Sequence, residues 1–150
     1  AYGSQACEVE IDPMTGATRV LRYVVAHDCG RLINPLVVDG QIRGGVVHGI
    51  GNALFERMKF DEAGQPLTTT YGDYLLPGAA EMPDIEIHHI ETPSPRNPLG
   101  VKGAGEGGTI PAAACVISAI EHALGPRTPF IGEHPLSPER TTELMDATTT

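Results

Sequence analysis

The run Val101-Lys102-Gly103-Ala104-Gly105-Glu106-Gly107-Gly108-Thr109, with the apolar-periodic segment behind it, decides between two fold classes. Gly103, Gly105 and Gly108 spell GxGxxG just ahead of a helix, the letter pattern of a dinucleotide-binding turn. Such a turn needs a buried apolar strand leading in and a second parallel strand after the helix. Pro98-Leu99-Gly100-Val101-Lys102 makes a poor strand, and little strand-forming chain follows Leu124. The doubly wound reading fails, and the pattern that remains is α+β. Chemically the run still has content. Its glycines let backbone N–H groups approach an anionic ligand, and the helix that follows adds a favourable dipole. Lys102 is its only cation and Glu106 its only acid. A carboxylate just before a helix N-terminus tends to stay ionised, so Glu106 is a candidate general base. It is also a candidate capping group, and on the loop alone that structural reading leads.

Outward from the loop, the helix is expected from about Ile110 to Leu124, with a stripe of Ile110, Ala113, Ala114, Ile117, Ile120 and Leu124 ended by Gly125-Pro126. Ser137 should cap a last short helix, with fraying beyond Ala147. Upstream, Cys7 to Asp12 alternates in polarity and Thr18 to Ala26 is apolar on both faces. With Pro13-Met14-Thr15-Gly16 between them they form a hairpin whose second strand is the more central. Asn34-Pro35 is an N-cap followed by proline at the first helical position. The helix it starts should run to about Met58, with Val38, Ile42, Val46, Ile50, Leu54 and Met58 as its stripe. Gly40, Gly44, Gly45, Gly49 and Gly51 lie inside it. Each costs about 0.8–1 kcal/mol relative to alanine, so a close-approaching backbone or ligand should compensate. A short strand at Lys59-Phe60, a turn from Asp61 to Gln65 and a strand from Asp84 to Glu91 complete the pattern. Adjacent on that strand, His88 and His89 point to opposite faces and suggest no shared metal. Asp28 and Asn34 suit the turn and cap between strand and helix.

The whole, 150 residues with a net charge of −9, is one segment with a core, and its acidity argues against nucleic acid. Cys7, Cys29 and Cys115 form no CxxC pair; they read as reduced, mostly buried thiols, in keeping with a cytoplasmic protein. No apolar run is long enough to span a membrane. The chain enters a strand at once, without an initiator methionine, as a piece of something longer would.

Five stretches, in collinear order, carry a resemblance. They are EVEIDPMTGATRVLRYVVAHD (Glu8 to Asp28), AHDCGRLINPLVVDGQIRGGVVHGIGNALFE (Ala26 to Glu56), PLTTTYGDYLLPGAAEMPDIEI (Pro66 to Ile87), GVKGAGEGGTIPAAACVISAIEHAL (Gly100 to Leu124) and PLSPERTTEL (Pro135 to Leu144). Together they resemble the C-terminal part of the molybdopterin-binding large subunit of molybdenum hydroxylases. That family includes xanthine dehydrogenase, aldehyde oxidase and aerobic carbon monoxide dehydrogenase. The resemblance implies that residues 1–150 are one segment of a larger cofactor-binding domain, inactive alone.

It also implies the chemistry: hydroxylation of an aldehyde or N-heterocycle with oxygen from water. The molybdenum is held by the pterin dithiolene, with the cofactor in its cytosine dinucleotide form, so no residue here need ligate the metal. Glu106, in the family's G-x-G-E motif, becomes the catalytic base. Lys102, Gly103, Ala104 and Gly105 become cofactor contacts. The family's Q-G-x-G segment, which approaches the pterin, falls on His48, Gly49, Ile50 and Gly51, with histidine in place of the usual glutamine. Gln41 is a further polar candidate; both it and His48 also fit as ordinary helix residues. Implied partners are the rest of the molybdenum subunit, an iron–sulfur subunit, an FAD subunit and a small-molecule substrate. A carbon monoxide dehydrogenase-like member and a non-catalytic structural domain remain as alternatives.

Overall fold

A computed structural model describes residues 1–149. It shows the expected α+β arrangement: a three-stranded sheet with two principal helices on one face. Strand β1 (Tyr2–Ile11) pairs antiparallel with β2 (Thr18–Asp28) across a turn at Asp12–Gly16. Asp12 organises that turn by accepting hydrogen bonds from the Met14 N–H (2.9 Å) and the Thr15 hydroxyl (2.6 Å). Strand β3 (Ile85–His89) pairs parallel on the other side, so β2 is central, as its two apolar faces require. β1 starts earlier than the expected Cys7, because Gly3 to Ala6 pair with Val24 to His27 despite lacking an alternating pattern. Pairing overrides a weak local preference here.

Helix α1 (Pro35–Leu54) opens on Asn34, whose side chain accepts from the Val37 N–H. It stops four residues before the expected Met58. The N–H groups of Phe55 and Glu56 both donate to the Gly51 carbonyl, which closes the helix, and Met58 is left exposed. Ile42, Val46, Ile50 and Leu54 are buried as the stripe requires. The short strand expected at Lys59-Phe60 reduces to one bridge, Phe60 to Pro66. Helix α2 (Ala112–Leu124) ends on Gly125 at φ 92°, a conformation glycine tolerates. Its buried face is Ala112, Val116 and Ile120, not a stripe through Ile110 and Ala114. Ile110 lies in a turn before the helix and is 74% exposed.

The core lies between the inner sheet face (Tyr23, Val25, Ile85) and the helices (Ile42, Val46, Ile50, Val116, Ile120). Helix α3 (Pro138–Thr149) closes it with Leu144, and Ser137 caps it by accepting from the Arg140 N–H. α3 continues past Ala147, where fraying was expected; Thr150 lies outside the described residues. Among the described residues no helix is long and apolar enough to cross a membrane.

Candidate functional site

The Gly-rich loop is held at both ends. At its start, Asp28 Oδ1 accepts from the Gly30 N–H (2.7 Å), which turns the chain after β2. Gly30, at φ 72°, packs directly on the Gly100 carbonyl, and a side chain there has no room. Gly30 then bridges Val101, and the Lys102 N–H donates to the Cys29 carbonyl (2.7 Å). At its end, Gly108 packs on the Ile42 carbonyl of α1, and a Cβ on Gly45 would lie 2.8 Å from the Thr109 nitrogen. Gln5 of β1 donates its amide to the carbonyls of Gly107 (3.3 Å) and Gly108 (3.0 Å), and accepts from the Tyr23 hydroxyl (2.5 Å).

Between these clamps the backbone N–H groups are unpaired. Among the described residues, no N–H from Gly103 to Gly108 donates to any acceptor. The span Gly103 to Gly107 overhangs a cavity of about 500 Å³, whose other walls include Tyr2, Gly3, His27 and Ile110. Glu106 lines this cavity and is exposed. Its carboxylate has no partner among the described residues, while its backbone carbonyl accepts from the N–H groups of Thr109 (3.0 Å) and Ile110 (3.2 Å). The capping role the loop alone suggested is not what the carboxylate does: α2 begins six residues later, and no side chain caps it.

The other sequence candidates scatter. Gly103, Ala104 and Gly105 line the cavity. Lys102 does not. Its ammonium donates to Asp28 (3.2 Å) and Thr92 (2.6 Å) and lies over the Tyr2 ring, so the loop's only cation is committed to an internal ion pair. Asp28 is fully buried; burial raises its pKa, but hydrogen bonds from Thr92, Gly30, Tyr2 and Lys102 outweigh this and hold it below the usual carboxylate range. Gln41 is exposed on α1, with its amide nitrogen 4.0 Å from where a Cβ of Gly105 would be. His48, two turns further along, is exposed on the same side of the helix. Gly49 and Gly51 face elsewhere. Gly49 packs on the Ala112 methyl of α2, and Gly51 lies under the Glu56 carboxylate and Pro77. Both are explained by close packing of the chain on itself.

Sequence reasoning missed His27. It is 1% exposed, neither ring nitrogen has a partner among the described residues, and Gly107 packs against its Nε2. Its only sequence signal is its place in the inward register of β2, which needs the β1 pairing to be seen. His88 and His89 do face opposite ways. His88 is exposed, while His89 Nε2 is 2.6 Å from Asp39 of α1.

Comparison with known proteins agrees with this fold. The molybdopterin cofactor-binding domain family matches residues 1–83. The nicotine 6-hydroxylase large subunit of Paenarthrobacter nicotinovorans is 48% identical over 138 residues, covering 92% of this chain and 17% of that protein. The carbon monoxide dehydrogenase large chain of Hydrogenophaga pseudoflava is 43% identical over 125 residues, covering 81% of this chain and 16% of that protein. The crystal structure of quinoline 2-oxidoreductase from Pseudomonas putida 86 superposes with a TM-score of 0.90 at 44% identity, covering 96% of this chain and 18% of that one. The chain thus spans less than a fifth of the length of these relatives. With a matched family model over more than half of its length and a matched fold, the chain belongs to the molybdopterin cofactor-binding domain family.

Proposed function

We propose that this chain supplies the catalytic base and part of the cofactor cradle of a molybdenum hydroxylase built on the xanthine dehydrogenase and aldehyde oxidase plan. The substrate class is an aldehyde or an N-heterocycle. The observation that carries this reading is Glu106: a cavity-facing carboxylate with no partner, in a loop whose neighbouring N–H groups are also unengaged.

The residues present fit a molybdopterin. Gly103 has open space where a Cβ would stand, and Gly105 meets only the Gln41 amide nitrogen. An anionic pterin phosphate or dithiolene can therefore approach the bare backbone, and the free N–H groups supply donors without a lysine. Gln41 and His48 would add side-chain donors from the exposed side of α1. When bound, the cofactor supplies two-electron oxidation with oxygen drawn from water. Glu106 takes up the proton that the attacking oxygen must lose, at either carboxylate oxygen, and needs no neighbour's release first. Tyr2, Gly3 and Ile110 narrow the cavity around it. The cofactor is proposed in its cytosine dinucleotide form, with iron–sulfur and FAD centres on partner subunits and the remaining cofactor contacts elsewhere in the molybdenum subunit.

The test is made in the complete enzyme. Glu106→Gln should lower turnover by about 10²–10⁴-fold, the range for loss of a general base, with molybdenum retained and a pterin nucleotide released on denaturation. Turnover within a few-fold of the parent would remove Glu106 from the mechanism. Absence of any pterin from the parent would refute the whole reading.

A further inference from the structure

Cys7 and Cys115 lie far apart in sequence, but β1 and the first turn of α2 bring their Sγ atoms to 3.7 Å. The Cys115 thiol donates to Cys7 Sγ, and the Cys7 thiol faces the Cys115 carbonyl oxygen at 3.5 Å. Both are free and half-buried, and both border a surface cleft with Gln5 and Ser118. Cys29, the third cysteine, is buried beside Asp28 and takes no part. We propose that Cys7 and Cys115 are a redox-active pair, closed to a disulfide by low-molecular-weight disulfides and reopened by thiols, which pins α2 to β1 beside the loop that carries Glu106.

Three features support it. A disulfide needs the sulfurs at about 2.0 Å, so they must close by about 1.7 Å, a distance that rotation of two side chains can supply. The two thiols are not equivalent. Once Cys115 is ionised, Cys7 turns its thiol hydrogen onto that sulfur; this pulls Cys115 down to about 7 against burial and holds Cys7 above its ordinary value. Cys115 also sits at a helix N-terminus, which favours a thiolate. Cys115 is therefore the attacking thiol and Cys7 the resolving one. The location links the pair to the site. Gln5, two residues before Cys7 on the same face of β1, holds the carbonyls of Gly107 and Gly108.

The step balances with glutathione disulfide as oxidant. The Cys115 thiolate attacks one sulfur and expels a glutathione thiolate. Cys7, giving its proton to solvent, then attacks Cys115 Sγ of the mixed disulfide and expels the second. Two protein thiols are oxidised and one glutathione disulfide is reduced to two thiols.

The experiment uses the complete enzyme, equilibrated in glutathione buffers of graded redox ratio, acid-quenched, alkylated and digested for mass spectrometry. Expected is a Cys7–Cys115 linked peptide, matching loss of both alkylated peptides, and full reversal by excess reduced glutathione. In Cys7→Ser the resolving thiol is gone, so glutathione should stay trapped on Cys115. In Cys115→Ser, Cys7 should remain alkylatable. The parent arm does not depend on either variant folding. If both parental thiols stay alkylatable in the most oxidising buffer, or pair with other cysteines, or Cys115 holds glutathione without resolution, the proposal is wrong.

Discussion

His27 shows what one inward-facing residue imposes. Its burial, with neighbouring His89 adding, pushes the imidazole below its ordinary value; Asp28 opposes this only in part. A depressed imidazole means that acid favours the unfolded chain. The stability of the native state is intact above the ordinary histidine range of about 6.5 and is lost as pH falls from there toward the lowered folded value. Asp28, whose pKa is also depressed, acts in the same direction but only below about pH 4. Thermal midpoints of the enzyme should therefore fall between about pH 7.5 and about pH 5.5, and His27→Gln should flatten that slope. An unchanged slope would assign the acid sensitivity to another group. At this scale the sequence singles out Glu106 by a motif, without reference to any partner, and the fold sets it in the cavity wall. The place of Lys102 was not legible. It stood out as the loop's only cation, and only the fold reveals that Asp28 and Thr92 already hold it.

The elements divide in the same way. α1, α2 and the hairpin could be read from period, cap and turn chemistry, since those signals are local. The first residues of β1 and the true inner face of α2 could not, because each depends on what the segment packs against. The five glycines of α1 sort by the same criterion. Gly45 and Gly49 meet the loop and α2, so their small size is required there. Gly40 and Gly44 meet nothing within 4 Å. Gly45→Ala should thus lower stability by about 1–3 kcal/mol through overpacking, whereas Gly40→Ala and Gly44→Ala should each raise it by up to about 1 kcal/mol through helix propensity. Chemical denaturation of the complete enzyme measures both. Destabilisation by Gly40→Ala would show that a group outside residues 1–149 rests on that side of α1.

Over the molecule as a whole, the fold follows from a sheet with one covered face, and the candidate site from where two remote segments meet. The turn after β2 and the loop before α2 are about 70 residues apart, yet they share the Gly30–Val101 bridge and the Asp28–Lys102 ion pair. No local reading of either segment shows that junction. Large apolar side chains such as Leu36, Tyr71 and Phe130 remain exposed, which agrees with a chain that spans a small part of its relatives.

The clamped loop has a consequence in solvent exchange. Amides that are hydrogen-bonded on either side of it, those of Lys102, Thr109 and Ile110, are shielded, and Gly108 is buried against α1, while the four from Gly103 to Glu106 are neither bonded nor buried. In deuterated buffer the cofactor-free enzyme should take up label at these four within the shortest mixing time, as a sharp gap between slower neighbours. If they are the donors that grip the pterin, loading the cofactor should close the gap without altering its flanks. Label uptake that is the same with and without cofactor would mean that the pterin is gripped elsewhere.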